Sequence, residues 1–318
     1  MWQGRAGGMF LARPRGMEWP DLAFAAWKDT YATLHRWLQI VGKIRLAQTP
    51  WMNHSWHVPF YLTATGLTTS PIPYGTRHFQ FDFDFIDHRL ALRTSEGRHA
   101  SIELVAQPVG EFYARVMRLL REFGFDLIIV TTPTEVANAV PFEHDTEHRA
   151  YDAGYAQRFW CALLQSDRVF KQFRAGFTGK ASPVHFFWGD ADLALTFFSG
   201  QSCEPPSSKR EHMPQWVLKD AYSHESCTWG FWPGAERTPY ALYFAYAYPE
   251  PPGYREAPVS PRGARYESEL GKWVLPYEEV RRSSAPDSTL TQFLQSSYDA
   301  CSKLGHWDRA ALQFERPR

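Results

Sequence analysis

Three histidines set among aromatic residues, His54, His185 and His224, hold the main chemical potential of this sequence. His185 lies within Pro183-Val184-His185-Phe186-Phe187-Trp188-Gly189, His54 opens the run His54-Ser55-Trp56-His57, and His224 is followed at once by Glu225. Neutral imidazole ligates zinc, iron or copper, and three such ligands from separate segments could hold one transition metal. Without a metal the same rings serve as general acids or bases, with Glu225 as a base or an outer partner. The plainer alternative is that each ring is packed in the core and satisfied by backbone or water. His35 is a further acid–base candidate, Lys43 and Arg45 could hold an anionic substrate group, and Trp188 and Trp232 are candidates to line the pocket.

Spacing limits these combinations. His54 and His57 are three apart, so only a turn or helix aims both at one point, and His224 and Glu225 face opposite sides of a regular strand. Residues His144-Asp145-Thr146-Glu147-His148 satisfy H-x-x-E-H, the inverted zinc-peptidase pattern. The pentad is polar all round and follows Pro141-Phe142, whereas such a motif belongs on a buried helix, so it reads as a chance match. Asp82, Asp84 and His88 alternate with Phe79, Phe81, Phe83 and Phe85, the pattern of a half-buried strand. On one strand Asp82 and His88 would stand about 20 Å apart, too far for one ion, which makes this a solvated face. There is no G-x-S-x-G, no G-x-G-x-x-G after a strand, no Walker A loop and no H-E-x-x-H. Their absence narrows the field of common hydrolases, dinucleotide enzymes and kinases.

The elements that must position these residues are legible in outline. Trp27, Tyr31, Leu34, Leu38 and Val41 step by four and three, predicting a mostly buried helix over 21–47. Its polar stripe, His35, Gln39 and Lys43, is expected to be a solvated edge, the alternative being that it lines a site with Arg36 and Arg45. Residues 49–61 read as a loop entering a strand. The 79–94 segment reads as one strand, followed by a strand at 99–105, a helix at 109–123 and a strand at 126–132. A long helix covers 152–176 and ends on Arg168, Lys171, Arg174 and Lys180, cations that suit a helix C-terminus and that an anionic ligand could also use. The hairpin 184–198 turns at Gly189-Asp190, placing Val184, Phe186 and Trp188 on one side and His185 and Phe187 on the other. Strands are expected at 222–232 and 240–248, long loops at 201–215 and 249–269, and a closing helix at 288–304. On 240–248 the aromatics share one face, while Ala241, Ala245 and Ala247 on the other leave room for a neighbouring element or a ligand. The fold class is therefore α+β: a single domain with a largely antiparallel sheet packed against several helices, the long ones near 21–47 and 152–176.

Composition excludes several classes. Lys+Arg and Asp+Glu balance at 34 each in 318 residues, so no global field recruits nucleic acid or an anionic membrane. Aromatics make up 16% of the chain, including 13 Trp, which marks a globular protein with a sizeable core. Cys161, Cys203, Cys227 and Cys301 are far apart and form no CxxC pattern, which fits a reducing compartment. No apolar run approaches a membrane span or a signal-peptide core. A cytoplasmic bacterial protein is expected, with residues 1–16 a disordered extension and 17–318 the domain.

Many segments together resemble a bacterial family known as domain of unknown function 5996. Among them are Trp19-Pro20, Thr33-Leu34-His35-Arg36-Trp37, Gln39-Ile40-Val41-Gly42-Lys43, Asn53-His54, Gly66-Leu67-Thr68-Thr69 and Phe83-Asp84-Phe85-Ile86-Asp87-His88. The hairpin segment 183–189, Tyr222-Ser223-His224-Glu225, Gly230-Phe231-Trp232-Pro233-Gly234 and Tyr246-Ala247-Tyr248-Pro249-Glu250-Pro251 extend the resemblance, which runs from about residue 17 to 312. It implies one domain and a start near Met17, and it supplies no activity. The family pattern reads Asp-x-x-His at Asp145 and His148 with nothing fixed at His144, which weakens the zinc-peptidase reading and leaves Asp145 and His148 as a minor candidate pair.

Two functions are compatible with these residues. One is an enzyme acting on a small molecule in an aromatic, histidine-containing pocket, by metal-dependent oxidation or hydrolysis or by acid–base chemistry. The other is a non-catalytic small-molecule or partner-binding domain with structural histidines.

Overall fold

Helix α1 (Phe24–Gln48) is enclosed by the rest of the chain, and every residue from Thr33 to Arg45 is buried. The computed structural model describes residues 19–136, 138–206 and 214–314; the expected extension at 1–16 and the middle of the expected 201–215 loop lie outside them. The polar stripe of α1 is not a solvated edge: His35, Gln39 and Lys43 are 6%, 0% and 5% exposed. The reason is tertiary. Segments about 95 and 150 residues further along pack over the stripe and supply its hydrogen bonds, Gln39 donating to the Thr134 and Gly189 carbonyls.

The first sheet is antiparallel and contains β1 (Tyr61–Leu62), β2 (Gly66–Thr68), β3 (Ile72–Tyr74), β4 (Arg77–Asp84), β5 (Arg89–Thr94) and β6 (His99–Glu103). Its order is β1-β2-β4-β5-β6, with β3 beside β4. Phe79, Phe81 and Phe83 point into the core as alternation requires. The expected single strand over 79–94 is instead the β4–β5 hairpin. Asp84 Oδ1 accepts the N–H groups of Ile86 and Asp87, a turn that aspartate side chains favour, and the chain reverses there. Asp82 and Asp84 then meet Arg93 and Arg89 as ion pairs.

Helix α2 (Val109–Glu122) follows. The expected strand over 126–132 does not form. Leu127 and Ile129 are buried and Ile128 and Val130 exposed, so the alternation is real, but among the described residues no strand pairs with this segment. Helix α3 (Ala153–Arg174) is capped by the Asp152 carboxylate, which accepts the Tyr155 N–H.

The second sheet, also antiparallel, has the order β11-β12-β10-β9-β8-β7. Its strands are β7 (His185–Phe187), β8 (Asp192–Ser202), β9 (His224–Trp232), β10 (Leu242–Tyr248), β11 (Arg265–Glu267) and β12 (Lys272–Pro276). Helix α4 (Gln215–Ala221) precedes β9, and α5 (Tyr277–Arg281), α6 (Pro286–Leu304) and α7 (Arg309–Leu312) close the chain. Helix α4 and the strands β11 and β12 fall in or beside stretches expected as loops. One face of this sheet, with Phe186, Leu193, Phe197, Trp229, Phe231 and Tyr243, joins the core. Ala241, Ala245 and Ala247 share that side, and helices α5 and α6 fill the room they leave.

The architecture is α+β with two sheets rather than one. They meet where Phe60 and Phe186 exchange two backbone hydrogen bonds of 2.8 Å. Nearby, the Trp188 ring lies against Gly42 so closely that a Cβ there would sit 2.2 Å from a ring carbon. Among the described residues no helix is long and apolar enough to cross a membrane, and Cys161, Cys203, Cys227 and Cys301 are free thiols.

Candidate functional site

The outer face of the second sheet carries the chemistry. Register sets its members: His185 pairs with Ala194, Thr196 with Thr228, and Thr228 with Tyr246, so these side chains share one side. The Thr196 and Thr228 hydroxyls are 2.9 Å apart, which confirms the common face. His224, Phe198 and Tyr248 follow on that side by alternation.

Two loop segments complete the site. Residues Asn53–Ser55 form a 3-10 turn in which His54 has φ 58° and Ser55 φ 57°, left-handed conformations that non-glycine residues adopt at a cost. The Asp220 carboxylate at the end of α4 accepts the His54 N–H at 2.6 Å and holds this turn against the sheet. The His54 ring then lies 4.7 Å from Phe198, 5.1 Å from Trp56 and 6.3 Å from His224, centroid to centroid. Trp56 reaches the other way to His185, at 6.5 Å. Of the three candidate histidines, His54 and His224 therefore meet directly, while His185 stands further along the sheet and reaches His54 only through Trp56.

Lys180, expected among the cations at the end of the 152–176 helix, lies instead beyond the end of α3 at Arg174 and beside His54. Its Nζ is 2.7 Å from His54 Nε2 and lies over the rings of Phe198 and Trp56 at 4.7 and 5.7 Å. An ammonium donates only, so Nε2 accepts and the imidazole is neutral with its proton on Nδ1. Burial, and then the Lys180 charge, lower the His54 pKa from its ordinary value. Burial likewise lowers that of Lys180. Burial pushes His185 down to about 3, and its Nδ1 has no hydrogen-bond partner among the described residues.

Tyr222, two residues before His224, lines a cavity of about 210 Å³ with Tyr246, Tyr248, Lys272, Pro206, Leu218, Leu270 and Gly271. Tyr222 and Tyr248 pack ring to ring at 4.6 Å. Helix α4 links the two parts, since Leu218 borders the cavity while Asp220 fixes His54. Further along the same face stands Asp192, whose carboxyl is pushed well up by burial and by the Asp190 charge.

The geometry does not give the three histidines a metal. Among the described residues no group of three His, Cys, Asp or Glu side chains is placed to hold an ion. The Nε2 of His54, the atom a metal would need, instead faces an ammonium.

The other candidates fall elsewhere. His35 stacks on Tyr31 at 5.5 Å, bonds the Gly189 carbonyl at 2.8 Å, and is pushed down to about 4 by burial. It is sealed on the core side of the hairpin. Trp188 donates to the Val58 carbonyl and packs on Gly42. Lys43 and Arg45, two positions apart on one helix, project to different sides and form no joint anion clamp. Arg45 donates to the His57 carbonyl at 2.7 Å. Alternation turns Glu225 away from His224 and toward Cys203, whose thiol is pushed up by burial and then by the Glu225 charge. Trp232 packs with Leu242, Phe244 and Val274 at the far end of β9, about 25 Å from His224 at strand rise.

The H-x-x-E-H pentad lies on a 3-10 turn, Phe142–His144, and the loop after it, so its histidines do not share a helix face. Asp145 and His148 do pair, His148 Nδ1 lying 2.9 Å from Asp145 Oδ2, and Arg36 Nε meets the same oxygen at 3.1 Å. Asp145 is 1% exposed, and with buried Arg36 and half-buried His148 it ties the loop to α1.

No curated protein and no solved structure shows significant similarity to the chain. A family profile described as a family of unknown function, DUF5996, matches residues 19–314, so the site and both sheets lie within it. The chain belongs to the DUF5996 family.

Proposed function

We propose that this protein is an enzyme acting on a small molecule in the aromatic, histidine-containing recess on the outer face of the second sheet. One observation carries the reading: the Lys180 ammonium is held 2.7 Å from a neutral His54 imidazole, among Trp56 and Phe198. A donor–acceptor pair of this kind moves a proton without building up net charge, which is what general acid–base catalysis in a partly desolvated site requires. The strained His54 turn and its Asp220 tether support the same reading, since strain persists only where the surroundings enforce it. The neighbouring tyrosine-lined cavity gives a substrate room, with Lys272 and phenol groups for its polar end.

A thermal-shift screen of small polar aromatic compounds tests this. A compound at about 100 times its Kd adds roughly 2.7 kcal/mol to stability. That gain should be lost in both Trp56→Ala and Tyr248→Ala. Ligands that stabilise all three proteins equally would place the binding site elsewhere.

A further inference from the structure

We propose that Lys180 forms an imine with the carbonyl group of a small aldehyde or ketone, whose apolar body rests against Trp56 and Phe198; this builds on the recess being a small-molecule site. Lys180 has the surroundings such a lysine needs. Among the described residues it makes no ion pair within 4 Å: the Asp220 carboxylate, whose charge only partly offsets the lowering by burial, accepts the His54 N–H at 2.6 Å. Its Nζ contacts are instead an imidazole nitrogen and two aromatic faces. Removing a counter-carboxylate and adding apolar neighbours favours the neutral amine, the nucleophilic form of lysine. Lys180 is nonetheless an exposed residue, so a carbonyl compound can reach it.

The proton path closes within the pair. His54 Nε2 takes a proton from the ammonium and becomes imidazolium. The freed Nζ lone pair attacks the carbonyl carbon, forming the C–N bond while an N–H proton passes to the former carbonyl oxygen. The imidazolium then protonates that hydroxyl, the C–O bond breaks, and water leaves. The products are the protonated imine on Lys180, one water and neutral His54. No oxidant or second reactant is needed.

Reductive trapping tests the proposal. The full-length protein is treated at pH 7 with benzaldehyde and sodium cyanoborohydride, and the benzylated lysines are located by peptide mass mapping. Lys180 should be labelled first and Lys180→Arg should abolish that label. His54→Asn keeps a residue that tolerates left-handed backbone, so the fold survives, and Lys180 labelling should slow at least about tenfold, the low end of what a proton-transfer partner contributes. Labelling spread evenly over the lysines, or undiminished in His54→Asn, overturns the proposal. Benzyl alcohol, the same body without a carbonyl, separates the two levels of inference. If it binds in a Trp56-dependent way while Lys180 stays unlabelled, the imine falls and the recess stands; if neither compound engages the site, both fall.

Discussion

His185 and His35 show what burial does to an imidazole. Their pKa values lie near 3 and near 4, against an ordinary value of about 6.5 in the unfolded chain. Above pH ~6.5 both rings are neutral in both states and their cost is nil. As pH falls below that value the unfolded chain binds protons that the native chain refuses, so stability drains away until the native pKa values are reached. At pH 5 the two rings together remove about 4 kcal/mol. Urea unfolding at pH 7.5 and 5.0 should show this loss, and His185→Phe, which also removes a buried nitrogen with no hydrogen-bond partner among the described residues, should roughly halve it. An unchanged loss in the variant would mean that His185 is not the buried neutral ring described above. The aromatic surroundings of His185 were readable from the alternation of 184–188. The place of Lys180 was not: it reads as a cation ending the long helix, whereas the Phe198 N–H bond to the Lys180 carbonyl lays that residue along the sheet edge.

Helix α1 shows where element-scale reading fails. Its length and apolar face follow from 3.6-residue periodicity. Its polar stripe looks like a surface, because sequence spacing shows which residues share a face and not what covers it. Here the cover is the 131–135 segment and the hairpin turn at 188–189. Gln39 clamps them: its Nε2 donates to the Thr134 carbonyl at 2.7 Å and its Oε1 accepts the Thr134 N–H at 2.8 Å. Gln39→Ala would leave the half-buried Thr134 N–H and C=O without this partner, at a cost of about 1–3 kcal/mol. A surface glutamine on a helix would cost within about 0.5 kcal/mol, so the urea midpoint of this one variant decides between the two descriptions of the stripe. The 79–94 misreading has the opposite cause. Alternation continued through 79–85 and hid the turn, although Asp84 followed by Ile86 and Asp87 offered a side chain suited to reversing the chain.

At the scale of the molecule, the two sheets share one interior. A single cluster of buried apolar residues runs from Leu22 to Leu312 and takes in Phe81 and Phe83 of the first sheet and Phe197 and Trp229 of the second. The backbone bridge between Phe60 and Phe186 and the seating of Trp188 on Gly42 tie the halves at their junction. Neither half can open there without exposing the other, so the chain should unfold in one cooperative transition. Gly42→Val puts this to the test at the junction. The added side chain would strike the Trp188 ring, which is hydrogen-bonded through Nε1 to the Val58 carbonyl and cannot swing aside without losing that bond. Overpacking of this kind costs about 1–3 kcal/mol. If the interior is continuous, tryptophan fluorescence and far-ultraviolet circular dichroism report coincident midpoints in the parent chain, and both move down together in Gly42→Val. If the sheets instead fold as separate units, the two probes part, and the substitution shifts only one of the transitions. That second outcome would also loosen the recess, because His185 and Phe198 belong to the sheet that the Trp188 seating holds in place, while Trp56 comes from the loop that follows α1.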